Sequence, residues 1–130
     1  MKIKEGVICL LRFPNTNLNR GKLRPVLVLK RPPDNKEDLL VCAITSQLNY
    51  YLPEWNEMIA SEDKDFEKSG LKTTSVIRTF KIATINENVI QGIIGKISNE
   101  RLLKIYRNYS AFFYFQVMNY FKQLRKTSPS

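Results

Sequence analysis

The chain has 130 residues, enough for one hydrophobic core of ordinary domain size and too few for two. Its 43% hydrophobic and 25% charged residues, with only five Gly and six Pro, exclude a disordered or low-complexity chain. A net charge of +9 concentrates polyanions such as nucleic acid, and the lack of any histidine excludes the histidine acid–base pair of many ribonucleases, Ser-His and Cys-His nucleophiles and nearly every familiar zinc site.

The charge is segregated. Residues 1–33 carry eight basic and one acidic side chain, residues 34–70 three and nine, and residues 71–130 ten and two. Folding that joins the two basic blocks makes one positive groove; the bland alternative is general solubility. The start of the chain, MKIKEGVICLL, has an acid at Glu5 and no small-residue cleavage site, so no signal peptide is expected. The longest nearly apolar stretch, residues 109–121, is broken by Ser110, Gln116 and Asn119 and falls short of the ~20 residues of a membrane span. A cytoplasmic protein without membrane association is the expectation. Cys9 and Cys42 each lie in an apolar run, where a free thiol behaves as a small buried hydrophobe.

In chain order, Gly6 opens the apolar run VICLLRF, which Pro14 stops because proline cannot donate to a strand ladder. The polar loop NTNLNRGKLR follows, and Pro25 starts VLVLK, a strand apolar on both faces that ends in the turn-forming residues 31–35. Residues 39–44 form a third strand. Residues 46–70 read as a long acidic excursion with a strand near 55–59 and a short helix after Ser61 that Gly70 closes. Residues 74–79, 81–85 and 89–97 read as three further strands, and five to seven short strands suggest a small barrel, spanning about residues 5–97. Ser98 then caps a helix over about 99–125, so that residues 1–130 form one domain. Leu102, Tyr106, Tyr109, Phe113, Val117, Tyr120 and Leu124 fall on one helix face, with Phe112, Phe115 and Phe121 off it. The second half is therefore apolar nearly all round, more than one barrel covers, and an oligomer or bound partner is expected there.

Three segments end apolar strands in polar groups. In the first, Pro25 restricts Arg24 to extended geometry, making it a positioned cation at the entry to a strand, either for an anion or for capping loop carbonyls. In the second, Thr45, Ser46 and Gln47 end a six-residue apolar run with groups that donate to phosphate oxygens or cap a turn. In the third, Arg78 interrupts the strand-like TTSVIRTF close to Lys72, Thr74 and Lys81, where it faces an anion or guards a sheet edge.

The succession FPNT, polar basic loop, LRPVLVL, VCAITSQ, SGLKTTSVIRTFKIATI and IIGKIS before a terminal helix resembles the MazF/PemK toxins over nearly all of residues 5–106. The resemblance implies a mainly β fold with a C-terminal helix, a small SH3-like barrel of the MazF/PemK (CcdB-like) type. It further implies a homodimer and metal-independent cleavage of single-stranded RNA through its own 2′-hydroxyl, leaving a cyclic phosphate and a 5′-hydroxyl. By position, Arg24 and Thr45 match the family's catalytic arginine and threonine, Ser46 and Gln47 flanking site residues, and Arg78 an arginine that contacts the scissile region. Arg20, Lys22, Lys72 and Thr74 complete the expected RNA-binding set, with no metal and no cofactor. The expected partners are single-stranded RNA, a cognate antitoxin and a second copy, with operator DNA bound only through the antitoxin complex.

Two departures stand out. Some members carry a glutamate or histidine in the first loop, where this chain has neither, and some an aspartate two residues after the second arginine, where this chain has Phe80. The competing readings are a toxin that inhibits a protein target such as gyrase without cutting RNA, and a DNA-binding autoregulator. VIQGIIGKIS resembles a KH-domain loop but runs into a helix cap, and GLKTTS lacks the upstream glycine-rich half of a P-loop.

Overall fold

The computed structural model describes residues 3–12 and 22–127. Six strands form one antiparallel sheet in the order β4-β5-β3-β2-β1-β6, with β1 at Val7–Leu11, β2 at Arg24–Lys30, β3 at Asp38–Thr45, β4 at Glu57–Ile59, β5 at Ser75–Asn86 and β6 at Gly92–Lys96. A one-turn helix α1, Phe66–Ser69, precedes β5, and the long helix α2 covers Asn99–Thr127. The mainly β fold with a C-terminal helix is the expected one. Among the described residues no helix is long and apolar enough to cross a membrane.

The sheet is curled and apolar on both faces, which is why β2 reads as a continuous aliphatic run. Val26 and Val28 join Val7, Cys9, Leu11, Leu39 and Val41 in one core cluster, whereas Leu27 and Leu29 join Ile8, Cys42, Ile44, Ile59, Ile77 and Ile105 in the other. Alternation along each strand thus feeds two layers rather than one layer and solvent. The second layer is covered by the first half of α2, where Ile105 is fully buried, Tyr106 donates to the Leu29 carbonyl at 2.5 Å and the Tyr109 hydroxyl donates to the carbonyl of Thr79. Both cysteines are buried free thiols.

Several boundaries differ from the sequence reading. The two strands expected over 74–79 and 81–85 are one strand with a bulge: Cys42 pairs with Ile82 and Ala43 with Arg78, so Thr79, Phe80 and Lys81 stand outside the ladder. The strand expected over 89–97 is limited to Gly92–Lys96, because a 3-10 turn at Glu87–Val89 uses the preceding residues. The strand near 55–59 starts at Glu57. The packed face of α2 also differs. Phe112, off the expected stripe, packs against Trp55 and Phe80, while Phe113, Val117, Tyr120 and Leu124 are 53–60% exposed.

Two features tie the acidic excursion down. Ser98 caps α2 by accepting the N–H of Arg101 at 3.1 Å, as expected, and one turn in, the Arg101 side chain pairs with Glu57, Asp63 and Asp65 at 3.0, 2.9 and 2.8 Å. Gly70 ends α1 with φ +74°, and a Cβ there would lie 2.0 Å from the Ile94 carbonyl oxygen, so only glycine lets α1 sit on β6.

Candidate active site

Arg24 opens β2 and Thr45 closes β3. Val26 stands opposite Ala43 and Leu27 opposite Cys42, a register that leads Arg24 towards Thr45 at the strand ends. On the other side of β3, Ala43 faces Arg78 and Thr45 faces Val76. Side chains two residues apart share a sheet face, so Arg24, Thr45 and Arg78 leave the same face of three adjacent strands.

They border two adjoining cavities that share Arg24, Ile44 and Thr45. The larger, about 400 Å³, lies between the Arg24-Pro25 and Thr45-Ser46 steps and the segment from Gly70 to Thr73 with Ser75, with an apolar floor of Leu10, Ile44 and Ile94. The smaller, about 160 Å³, is bounded by Arg24, Thr45, Gln47, Tyr50, Arg78 and Lys81. Four cations, Arg24, Lys72, Arg78 and Lys81, stand around this cleft, and among the described residues no carboxylate lines either cavity. Three acids of the excursion, Glu57, Asp63 and Asp65, pair with Arg101 instead.

The local geometry discriminates between the readings of each segment. Arg24 forms no ion pair or hydrogen bond among the described residues. The Thr45 hydroxyl oxygen accepts the N–H of Gln47 at 3.1 Å, which fixes the oxygen by one lone pair and leaves its proton to donate. Turn-capping and ligand-binding are thus compatible at Thr45. Arg78 is half-buried and its guanidinium carbon lies 3.9 Å from the Tyr50 ring centre, a cation–π contact that helps to position the guanidinium.

Of the expected site residues, Arg24, Thr45, Ser46, Gln47, Lys72 and Arg78 come together around the cleft. Lys22 is exposed but lines neither cavity, and Arg20 lies outside the described residues. Thr74 also lines neither: its hydroxyl accepts the N–H of Ser61 at 3.0 Å and ties the excursion to the start of β5. Sequence reasoning missed Tyr50 as a site residue. It is distant from Arg78 in sequence and carries no local signal beyond being an aromatic in a polar turn.

The fold is shared with solved toxins. An endoribonuclease in complex with its cognate antitoxin from a mycobacterial species is 12% identical and superposes with a TM-score of 0.62 over 85% of this chain and 93% of its own. Toxin MazF-mt6 of Mycobacterium tuberculosis is 18% identical with a TM-score of 0.60, covering 82% and 95%. The MazE-MazF complex of Deinococcus radiodurans is 15% identical with a TM-score of 0.62, covering 87% and 96%. Among curated protein sequences none matches this chain. The family described as PemK-like, MazF-like toxins of type II toxin–antitoxin systems matches residues 4–113, from before β1 into the middle of α2, and so contains the entire sheet and cleft. The chain belongs to this PemK-like, MazF-like toxin family.

Proposed function

We propose that the protein is a metal-independent endoribonuclease that cuts single-stranded RNA, with Arg24 and Thr45 as its catalytic residues. The observation that carries this reading is the convergence of Arg24, Thr45 and Arg78 from three adjacent strands on a cleft whose charged lining is wholly basic among the described residues. In the reaction the RNA 2′-oxygen forms a bond to phosphorus as the bond to the 5′-oxygen breaks. The products are a cyclic phosphate and a 5′-hydroxyl; the 2′-hydroxyl loses its proton and the leaving oxygen gains one. Such a step needs the attacking and leaving oxygens in line and the extra charge on the phosphoryl oxygens stabilised. Arg24 and Arg78 supply two planar donor forks to those oxygens, and Thr45 donates its hydroxyl proton to a non-bridging oxygen or holds the nucleophile. Neither residue type is a base near neutral pH, so the rate enhancement rests on positioning and electrostatics. A second copy and a cognate antitoxin complete the reading, supported by family membership and by relatives solved as antitoxin complexes.

The test is incubation of the purified protein with single-stranded RNA in the presence of a chelator. Fragments that carry 5′-hydroxyl ends are expected; intact RNA after prolonged incubation rejects the reading in favour of a non-nucleolytic toxin.

A further inference from the structure

The bulge in β5 does more than bend the strand. The first of its three residues outside the ladder is held from both sides, because the Thr79 hydroxyl donates to the Trp55 carbonyl at 2.6 Å and the Thr79 carbonyl accepts from Tyr109. The facing turn is equally fixed. Asn56 accepts the Leu52 N–H at 2.7 Å through Oδ1 and donates from Nδ2 to the Tyr50 carbonyl at 3.0 Å, and the Trp55 N–H donates to the Leu52 carbonyl at 2.9 Å. Two rigid backbones therefore hold out three aromatic rings, Tyr50, Trp55 and Phe80, which are 39–43% exposed. Trp55 and Phe80 meet edge to face at 6.0 Å and both rest on Phe112, at 5.4 and 4.8 Å.

These rings bound a cavity of about 400 Å³ together with Asn56, Arg78 and Lys81. It shares Tyr50, Arg78 and Lys81 with the smaller cavity that holds Arg24, Thr45 and Gln47, so the aromatic surface adjoins the cleft. Aromatic faces beside a row of cations that ends at a phosphate site match what an unpaired polynucleotide strand presents, alternating flat bases and charged phosphates.

We propose that Tyr50, Trp55 and Phe80 form a nucleobase-stacking subsite for a nucleotide flanking the cleaved bond, whose phosphate Arg78 and Lys81 hold. This rests on the nuclease reading and adds to it a source of strand selectivity. A base can enter only when unstacked from a duplex. Asn56 spends one N–H and one lone pair of its amide on the backbone, and three aromatic rings dominate the lining, so the subsite's grip is chiefly on the π-face common to all bases.

Trp55 is the only tryptophan, so its fluorescence reports on the subsite directly. The probe is a random-sequence pool of single-stranded 2′-O-methyl heptanucleotides, which lack the nucleophile and are not cut. Quenching of Trp55 is expected with this pool and not with abasic oligomers of the same length or with the pool annealed to its complement. Tyr50→Leu and Phe80→Leu, which keep apolar bulk, are expected to weaken binding of the pool by roughly 5- to 100-fold at unchanged circular dichroism. On cleavable RNA Phe80→Leu should raise KM and leave the saturated single-turnover rate near that of the wild type. Unchanged affinity in both folded variants, or equal quenching by abasic oligomers, overturns the subsite while wild-type cleavage still stands. Quenching by an acidic peptide such as polyglutamate but not by the pool overturns it in favour of a protein-docking surface. Base-dependent quenching by a wild-type protein that cuts no RNA supports the subsite and rejects the nuclease.

Discussion

Asp65 accepts two hydrogen bonds from the Arg101 guanidinium, Nε to Oδ2 at 2.8 Å and Nη2 to Oδ1 at 3.0 Å, and its Oδ2 also takes the backbone N–H of Ser98 at 3.0 Å. A single carboxylate thereby joins the excursion to the first turn of α2. Burial works to raise the Asp65 pKa, but the hydrogen bonds from Arg101 and Ser98 and the charge of Arg101 outweigh it and lower the group from 3.8 to about 2.

A depressed folded-state pKa contributes stability that is present above the unfolded value and lost as pH falls through the folded one. For Asp65 the window runs from roughly pH 4 down to about 2 and the contribution is about 2 kcal/mol. Urea unfolding across that range is expected to show a shallower pH slope in Asp65→Asn than in the wild type. Arg101→Met should cost about 3–5 kcal/mol at pH 7, because it strands Asp65 as a buried carboxylate without a cation and leaves Glu57 only its ion pair to Lys104 at 3.5 Å. Equal slopes in wild type and Asp65→Asn rule out the coupling.

At the cleft, Arg24→Ala is expected to reduce single-turnover cleavage by at least about a hundredfold at an unchanged thermal midpoint, the scale of losing one transition-state donor. Arg24→Lys should recover little, since a point charge does not replace a planar fork. An alanine variant that cuts RNA at the wild-type rate removes Arg24 from the catalytic role.

Strand content, the polar strand ends at Arg24 and Thr45 and the arginine interrupting a strand at Arg78 were legible because periodicity and proline act locally. What stayed hidden depends on contacts distant in sequence. The bulge at residues 79–81 is stabilised by Trp55 and Tyr109, and nothing in TTSVIRTFKIATI marks it as one bent strand rather than two. Likewise Thr74 looks like any hydroxyl beside a site until Ser61 is seen to use it. The helix stripe was legible in its periodicity but not in its packing, because Trp55 and Phe80 draw Phe112 inwards and leave Phe113 outside.

That outward face leads to a prediction about assembly. Phe113, Val117, Tyr120 and Leu124 follow one another at spacings of four, three and four, the repeat of a self-pairing helical seam, and all four are more than half exposed. A dimer that buries this seam is expected at micromolar concentration in sedimentation equilibrium. Val117→Glu with Leu124→Glu should shift it to monomer without loss of helical circular dichroism. A compact wild-type monomer at high micromolar concentration would falsify the assignment.

The last prediction concerns pH and salt. The sequence has no histidine, and burial pushes the thiols of Cys9 and Cys42 up to about 11 and 12, far from neutrality. The remaining side-chain types do not ordinarily titrate between about pH 5 and 8. The cleavage step should therefore rise steadily with pH through that range, as the 2′-hydroxyl becomes easier to deprotonate while the arginines stay charged. Binding should instead follow ionic strength. If Arg24, Lys72, Arg78 and Lys81 neutralise about four phosphates, affinity for single-stranded RNA falls with salt at a log–log slope of roughly −3, from about −0.7 per contact. Replacing one of the four by Gln should flatten the slope by about 0.7. The measurement pairs single-turnover cleavage of a short RNA from pH 5.5 to 9 with salt titrations of a 2′-O-methyl strand. A bell with its maximum near pH 6.5 at saturating protein would mean that a general acid–base pair operates in the cleft, and a flat salt response would exclude the four cations as phosphate ligands.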